Sequence, residues 1–314
     1  MKTRLTVTLL ALMWAYCATW GQDAYCPPRL ARQMQTRALI KIRARNTLKH
    51  PRINAHRGNQ AFGPENSLPA FIAAGKTGAW AIETDFRMTK DGVVVCHHDA
   101  KLDRTTTGTG YIKDYTLEEL RKFRIKEVNC VPIPNKAYRY GDFSAEELRI
   151  PTMDEYFEIC KQYGCVPFIE LKEDGGVIRE MMKAIKRHGL EGSCIISAIP
   201  LDLLVATRQQ GCMEMIHHIF STPDKHFDTL LSLGNVSVSL AVKQQDLDKP
   251  VPAKFDYKGY HPKDYKDAIH MCHKLGFRAC FRAADSPEAV RHALKLGADC
   301  MPANYMWVAR MKEK

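Results

Sequence analysis

The sequence predicts an α/β fold, a (β/α)8 TIM barrel, and three observations predict it. From residue 53 onward, short apolar runs alternate with longer amphipathic ones. Strands in that rhythm pair in parallel through helical crossovers. The apolar runs number eight, spread over about 250 residues, the usual extent of such a barrel. Composition agrees: of 314 residues, 45% are hydrophobic and 26% charged. That balance suits a globular chain with a full core, and excludes a disordered chain, a collagen-like repeat and a polytopic membrane protein.

The predicted strands, in order, are Ile53–His56, Ala79–Asp85, Pro167–Lys172, Cys194–Ala198, Glu214–Phe220, Val236–Ala241, Arg278–Arg282 and Cys300–Asn304. Helical stretches between them include Ser67–Thr77, Met153–Tyr163, Val177–His188, Leu201–Gln210, Pro262–Leu275 and Pro287–Leu296. Val93–His97 is also strand-like, but only Thr89-Lys90-Asp91-Gly92 separates it from the strand before. A parallel crossover needs a dozen or more residues. Phe86–Met88 and Val93–Val95 are therefore expected to form a β-hairpin at the barrel mouth, which folds His97 and His98 back toward the C-terminal ends of the strands.

Residues 1–21 read as a signal peptide. Lys2 and Arg4 precede an apolar run from Leu5 to Ala18, and Thr19-Trp20-Gly21 offers a small-residue cleavage region. The run is short for a membrane span. The expectation is an exported protein, periplasmic or secreted. Residues 22–50 form a basic arm, and 51–314 the barrel. No acidic residue stands between Asp23 and Glu65, and much of the net charge of +11 collects there. Two readings stay open for residues 29–52: weak contact with an anionic membrane, or a solvated leader packed on the base of the domain. No nucleic-acid-binding motif appears, so nucleic acid is not expected as a partner.

There are 11 cysteines. Cys96, Cys165, Cys194, Cys280 and Cys300 stand in or beside apolar strand-like runs and are expected as buried free thiols. Cys26 and Cys130 stand in loop-like sequence and are open to pairing, although sequence does not assign connectivity.

The chemistry gathers at the strand ends. Glu83 and Asp85 are two apart on one strand, so both point to the same face. Glu170 and Lys172 repeat the spacing on the next barrel strand, and His56 ends the first. Three carboxylates on one rim need a cation to offset their repulsion. Oxygen donors suit Ca²⁺ or Mg²⁺ better than Zn²⁺. One such dication, beside histidines, Arg57 and Lys172, suits phosphate-ester chemistry.

The runs Ala55-His56-Arg57-Gly58, Gly63-Pro64-Glu65-Asn66-Ser67, Ile82-Glu83-Thr84-Asp85, Thr89–Val95, His98-Asp99 and Leu102-Asp103-Arg104-Thr105-Thr106 stand in that order. So arranged, the chain resembles the glycerophosphodiester phosphodiesterases. The likeness is close from residue 53 to about 172 and weak from there to about 305. It implies hydrolysis of a small-molecule glycerophosphodiester to glycerol 3-phosphate and an alcohol. By position it implies Glu83, Asp85 and Glu170 as metal ligands and His56 and His98 as the acid/base pair. Arg57 and Lys172 would lie near the phosphate, and Asn66 would support the metal site. The family's small insertion after the second strand would occupy about 104–149. His97, next to the catalytic candidate, is expected to pack or support.

The opposite rim departs from the family pattern. A Ser-Phe pair usually follows the fourth strand, where Ser197-Ala198-Ile199 stand here. Trp-Thr-Val-Asn is usual where Phe281-Arg282-Ala283-Ala284 stand, and Thr-Asp-x-Pro where Ala303-Asn304-Tyr305 stand. Phe281, as a substrate-binding residue, Arg282, His217, His218 and Asn304 are therefore candidates to read the alcohol, and for His217-His218 a split into one buried and one exposed residue stays equally open. A head-group binding protein and a phosphodiesterase acting on lysophospholipids are the alternatives.

Overall fold

The computed structural model describes residues 51–134, 136–240, 249–281 and 285–306. The predicted signal peptide and the basic arm, residues 1–50, lie outside the described residues, as does Arg282. Eight parallel strands form the barrel wall: β1 (Ile53–Ala55), β2 (Ala81–Met88), β4 (Val166–Leu171), β5 (Ile195–Ala198), β6 (Met215–Ser221), β7 (Val236–Leu240), β8 (Arg278–Cys280) and β9 (Met301–Ala303). β3 (Val94–Cys96) pairs antiparallel with the end of β2, Phe86 opposite Cys96 and Met88 opposite Val94. This is the hairpin the short Thr89–Gly92 link requires, and it carries β2 past its expected end at Asp85.

The helices lie outside this wall: α1 (Leu68–Lys76), α2 (Leu117–Leu120), α3 (Met153–Tyr163), α4 (Val177–Arg187), α5 (Leu201–Gln209), α6 (Pro223–Leu233), α7 (Tyr265–Lys274) and α8 (Pro287–Leu296). Their starts are written in the sequence. Ser67 caps α1 by accepting from Ala70 N, and Thr152 and Glu155 form a reciprocal capping box on α3. Gly164, at φ 64°, closes α3 in the left-handed region where a side chain is strained. Asp264 caps α7, so this helix begins at Tyr265 rather than at Pro262. α6 is absent from the predicted helices, although its buried Pro223, Phe227 and Leu230 fall at the i, i+4, i+7 spacing of one helix face.

The main core lies between wall and helices. Tyr156 on α3 is fully buried, and its hydroxyl donates to Ile82 O at 2.6 Å while accepting from Phe168 N at 2.9 Å. One side chain thereby ties β2 to β4. Inside the wall, Ala81, Phe168, Ile195 and Met215 plug the lower lumen, so the site can open only at the strands' C-terminal ends. The segment expected as an insertion packs a small core of its own, with Leu102, Ile112, Leu120 and Ile125 against Val95 and Ile150.

Among the described residues, the wall closes between β8 and β9 through one parallel bridge, Cys280 opposite Cys300. The two sulfurs are bonded across that seam. This corrects the expectation of free thiols for Cys280 and Cys300. The two strands are far apart in the sheet's linear order, and only closure of the barrel brings the cysteines together. Cys96, Cys165 and Cys194 are buried and free, as expected. Cys130 is free, and its suggested partner Cys26 lies outside the described residues. Arg52, the last residue of the 29–52 stretch open to membrane contact, is buried with its guanidinium over Trp80. It is therefore not part of a surface that could meet a membrane. Among the described residues, no helix is long and apolar enough to cross a membrane.

Candidate active site

The register of β2 against β4 sets Asp85 opposite Glu170. Glu83 stands one step below on the same face, and oxygen atoms of all three carboxylates come within 4.8 Å of one another. All three are buried. Burial pushes the Glu83 carboxyl well above the usual range, and the neighbouring charges of Asp85 and Glu170 push it further. Asp85 goes the other way: burial would raise it, but Lys172, Arg57 and His98 hold it below the usual carboxylate range. Glu83 Oε1 is buried with no hydrogen-bond partner. A buried carboxylate oxygen left without a donor is costly, and a cation held by Glu83, Asp85 and Glu170 would satisfy it. These residues fit the divalent metal expected from the sequence.

Arg57 follows β1 with φ at 56°. That left-handed turn aims its backbone N–H at Glu83 Oε2, 2.6 Å away, and lets its guanidinium meet Glu65 at 2.9 Å. Its Nε lies 3.6 Å from Asp85. Gly58 continues the turn at φ 85°, against Ala70 of α1, where an added Cβ would come within 2.8 Å. Asn66 donates to Asp85 Oδ2 at 2.8 Å and accepts from Thr84 Oγ1, so it orients a metal-side carboxylate. Lys172 reaches both Asp85 and Glu170.

His98 sits beyond the hairpin. Arg87 donates twice to its carbonyl, at 3.0 and 2.8 Å, and fixes the backbone there. The ring's Nδ1 meets Asp99 Oδ1 at 2.7 Å, Asp99 accepts from Arg104, and Arg104 reaches Glu65. Glu65 thus joins the His98 side of the site to Arg57. Burial and the cations Arg57 and Lys172 outweigh the pull of Asp85 and lower the His98 pKa. His97 is buried between Asp99 O and Thr105 Oγ1, a supporting position as expected.

His56, at the end of β1, faces the same cavity. Its Nδ1 is 2.8 Å from Asn304 Oδ1 and 3.7 Å from Cys130 Sγ. Burial would lower the His56 pKa, but contact with Cys130 and Asn304 more than offsets it and raises it.

The cavity measures about 410 Å³ and is lined by His56, Arg57, Glu83, His98, Glu170 and Lys172 on one side. On the other stand Val131, Ile199, His217, Ile219, Phe220 and Asn304. His217 and Asn304 of the rewritten rim therefore reach it. His218 does not: it turns outward, bonded to Ser221 and Ile199 O and set edge-on to His226. Phe281, expected to bind substrate, is corrected likewise. It is buried in the core, edge-on to Tyr265, because the preceding Cys280 takes the lumen-facing position and successive residues alternate. Sequence reasoning gave no role to Glu65, Asp99, Arg104, Cys130 or Asp285. The first three stand within the quoted motifs. Cys130 and Asp285 carry no local signal.

A family model described as the glycerophosphoryl diester phosphodiesterase family matches residues 56–301. A glycerophosphodiester phosphodiesterase of Caldanaerobacter subterraneus subsp. tengcongensis is 38% identical over 148 residues, 46% of this chain and 56% of that one. The Homo sapiens glycerophosphodiester phosphodiesterase 1 is 37% identical over 137 residues, 44% of this chain and 38% of that one. The matched stretch thus spans about half or less of these curated relatives. Among solved structures, an Oleispira antarctica phosphodiesterase in complex with the product sn-glycerol-3-phosphate superposes with a TM-score of 0.64 at 22% identity, covering 81% of this chain and 93% of that one. A glycerophosphodiester phosphodiesterase from Agrobacterium tumefaciens gives 0.62 at 18%, covering 82% and 98%. These two likenesses bear on the barrel alone. With the family model spanning most of the barrel, the chain belongs to the glycerophosphoryl diester phosphodiesterase family.

Proposed function

We propose that this protein hydrolyses glycerophosphodiesters to glycerol 3-phosphate and an alcohol, with a divalent metal and paired histidines. One observation carries the reading: His56 and His98 line one cavity with the Glu83–Asp85–Glu170 cluster, Arg57 and Lys172. Glu83, Asp85 and Glu170 would hold Ca²⁺ or Mg²⁺, which offsets charge on the phosphate. Arg57 adds a fixed guanidinium beside the same phosphate, and Lys172 a second cation. One histidine takes a proton from the nucleophile, either a water or a neighbouring substrate hydroxyl, and the other gives one to the departing alkoxide. Attack by the substrate hydroxyl would pass through a cyclic phosphate. The product named in the Oleispira antarctica complex supports a small phosphorylated polyol as the species bound.

A second reading concerns the alcohol. Val131, Phe168, Ile199, Ile219 and Phe220 give the cavity apolar walls away from the carboxylates. They favour a substrate with apolar surface, such as the chain-bearing glycerol of a lysophospholipid. Export to an oxidising compartment stays part of the proposal, supported by the Cys280–Cys300 bond.

The test is turnover of glycerophosphocholine, glycerophosphoethanolamine, glycerophosphoinositol and a lysophospholipid, with Ca²⁺, with Mg²⁺ and with chelator. The expected result is metal-dependent release of glycerol phosphate, or of the lysophospholipid's phosphorylated fragment. His56→Ala and His98→Ala should each cost about 10²–10⁴ in rate. Metal-dependent binding of these diesters without turnover would make the barrel a head-group binding protein instead.

A further inference from the structure

His56 is held from behind by two residues of the rewritten rim. Asn304 follows β9, and Asp285 lies between β8 and α8. Asp285 Oδ1 accepts from the Asn304 backbone N–H at 2.6 Å, and its Oδ2 accepts from Asn304 Nδ2 at 2.7 Å. A carboxylate can only accept. The amide nitrogen of Asn304 must therefore face Asp285, and its Oδ1 must face His56 Nδ1 at 2.8 Å. The thiol of Cys130, 3.4 Å from the same Oδ1, is a further donor on that side. An amide oxygen also only accepts, so Nδ1 has to carry the hydrogen. Among the described residues no group bonds the other ring nitrogen, Nε2.

We infer that Asp285, acting through Asn304, fixes His56 with its proton on Nδ1 and reserves Nε2 for proton exchange with the substrate. Asp285 and Asn304 are positioning residues: they set which nitrogen works and where the ring points. The Nδ1–H stays in place whether His56 takes a proton at Nε2 or gives one there. Without the carboxylate the amide is free to turn its NH₂ toward the ring. His56 would then carry its hydrogen on Nε2 and have no lone pair for the reaction. The inference rests on the proposed role of His56.

Two measurements test it. The first is the long-range ¹H–¹⁵N spectrum of the full chain, with His56 assigned by comparison with His56→Gln. A neutral ring protonated at Nδ1 is expected, and one protonated at Nε2 overturns the inference. The second is steady-state kinetics with the best diester of the panel. Asp285→Ala and Asn304→Ala should each lower kcat about tenfold or more with KM held within about twofold, since a misplaced catalytic group costs rate rather than binding. The double variant Asp285→Asn/Asn304→Asp keeps a donor facing an acceptor and an acceptor facing His56. It should recover most of the kcat lost in Asn304→Ala, which a folding defect would not allow. Unchanged kcat in both alanine variants, with His56→Ala inactive, overturns the relay and leaves the functional reading standing. Full turnover in His56→Ala overturns the functional reading, while the spectrum still decides the tautomer.

Discussion

Lys172 Nζ stands 3.0 Å from Asp85 Oδ1 and also donates to Glu170, so a single ammonium spans two of the three clustered carboxylates. Even so, Asp85 Oδ1, like Glu83 Oε1, is buried with no hydrogen-bond partner. The cluster therefore has one built-in positive charge for three carboxylates, and two buried oxygens are left for a second cation to satisfy.

A metal titration follows from this relationship. Ca²⁺ or Mg²⁺ at about a hundredfold excess over Kd should add about 2.7 kcal/mol of stability. For a domain of this size that is a rise of roughly 5–10 °C in Tm. Glu83→Gln should abolish most of the rise, because it removes a ligand charge while keeping the shape. An equal rise in Glu83→Gln would place the ion elsewhere. The readout is thermal unfolding, independent of turnover.

Among the described residues, the barrel's closing seam has one β-bridge and one covalent bond, both at Cys280 and Cys300. The bond joins residues 20 apart in sequence. Closing a loop of that length stabilises by about 3 kcal/mol in the chain-entropy account. Reduction should lower Tm by roughly 6–12 °C. Cys280→Ser should do the same, and reductant should then have no further effect. If reductant leaves the Tm of the unaltered chain unchanged, the seam is held by packing and by the hydrogen bonds between Ala279 and Asp299.

Cys130 reaches the cavity beside His56, Gln60 and Asn304, whereas the other free cysteines among the described residues are buried. Iodoacetamide should therefore inactivate by filling the cavity, at a rate slowed by glycerol phosphate. Cys130→Ser should turn over substrate and resist the reagent. Equal inactivation of Cys130→Ser would show that another thiol is responsible.

Two buried histidines on β6 make the fold sensitive to acid. Burial pushes His217 down to about 3, with His218 adding to the effect. His218 goes to about 4, through burial and the neighbouring His226. In the unfolded chain each titrates near about 6.5. Below that pH the unfolded state takes up protons that the folded state refuses. Stability is therefore full above about pH 6.5 and falls as pH drops toward the folded values, by up to about 1.4 kcal/mol per unit for each histidine. Urea unfolding at pH 7.5 and pH 5 measures the slope. His217→Gln should flatten it by about one histidine's share, and an unchanged slope would remove His217 from the account.

The sequence by itself determined the alternation of strands and helices, the hairpin after β2 and the side of the barrel that carries the carboxylates. These are local matters. A two-residue spacing puts Glu83 and Asp85 on one face, and a four-residue link cannot cross a sheet. Tertiary structure decided the opposite rim. Phe281 and Cys280 are neighbours in sequence, and only the strand's orientation in the closed wall sends Cys280 to the lumen and Phe281 to the core. The Cys280–Cys300 bond and the Asp285–Asn304–His56 chain likewise depend on β9 returning beside both β8 and β1. No local pattern marks them, because their geometry exists only once the barrel has closed and brought its first and last strands together.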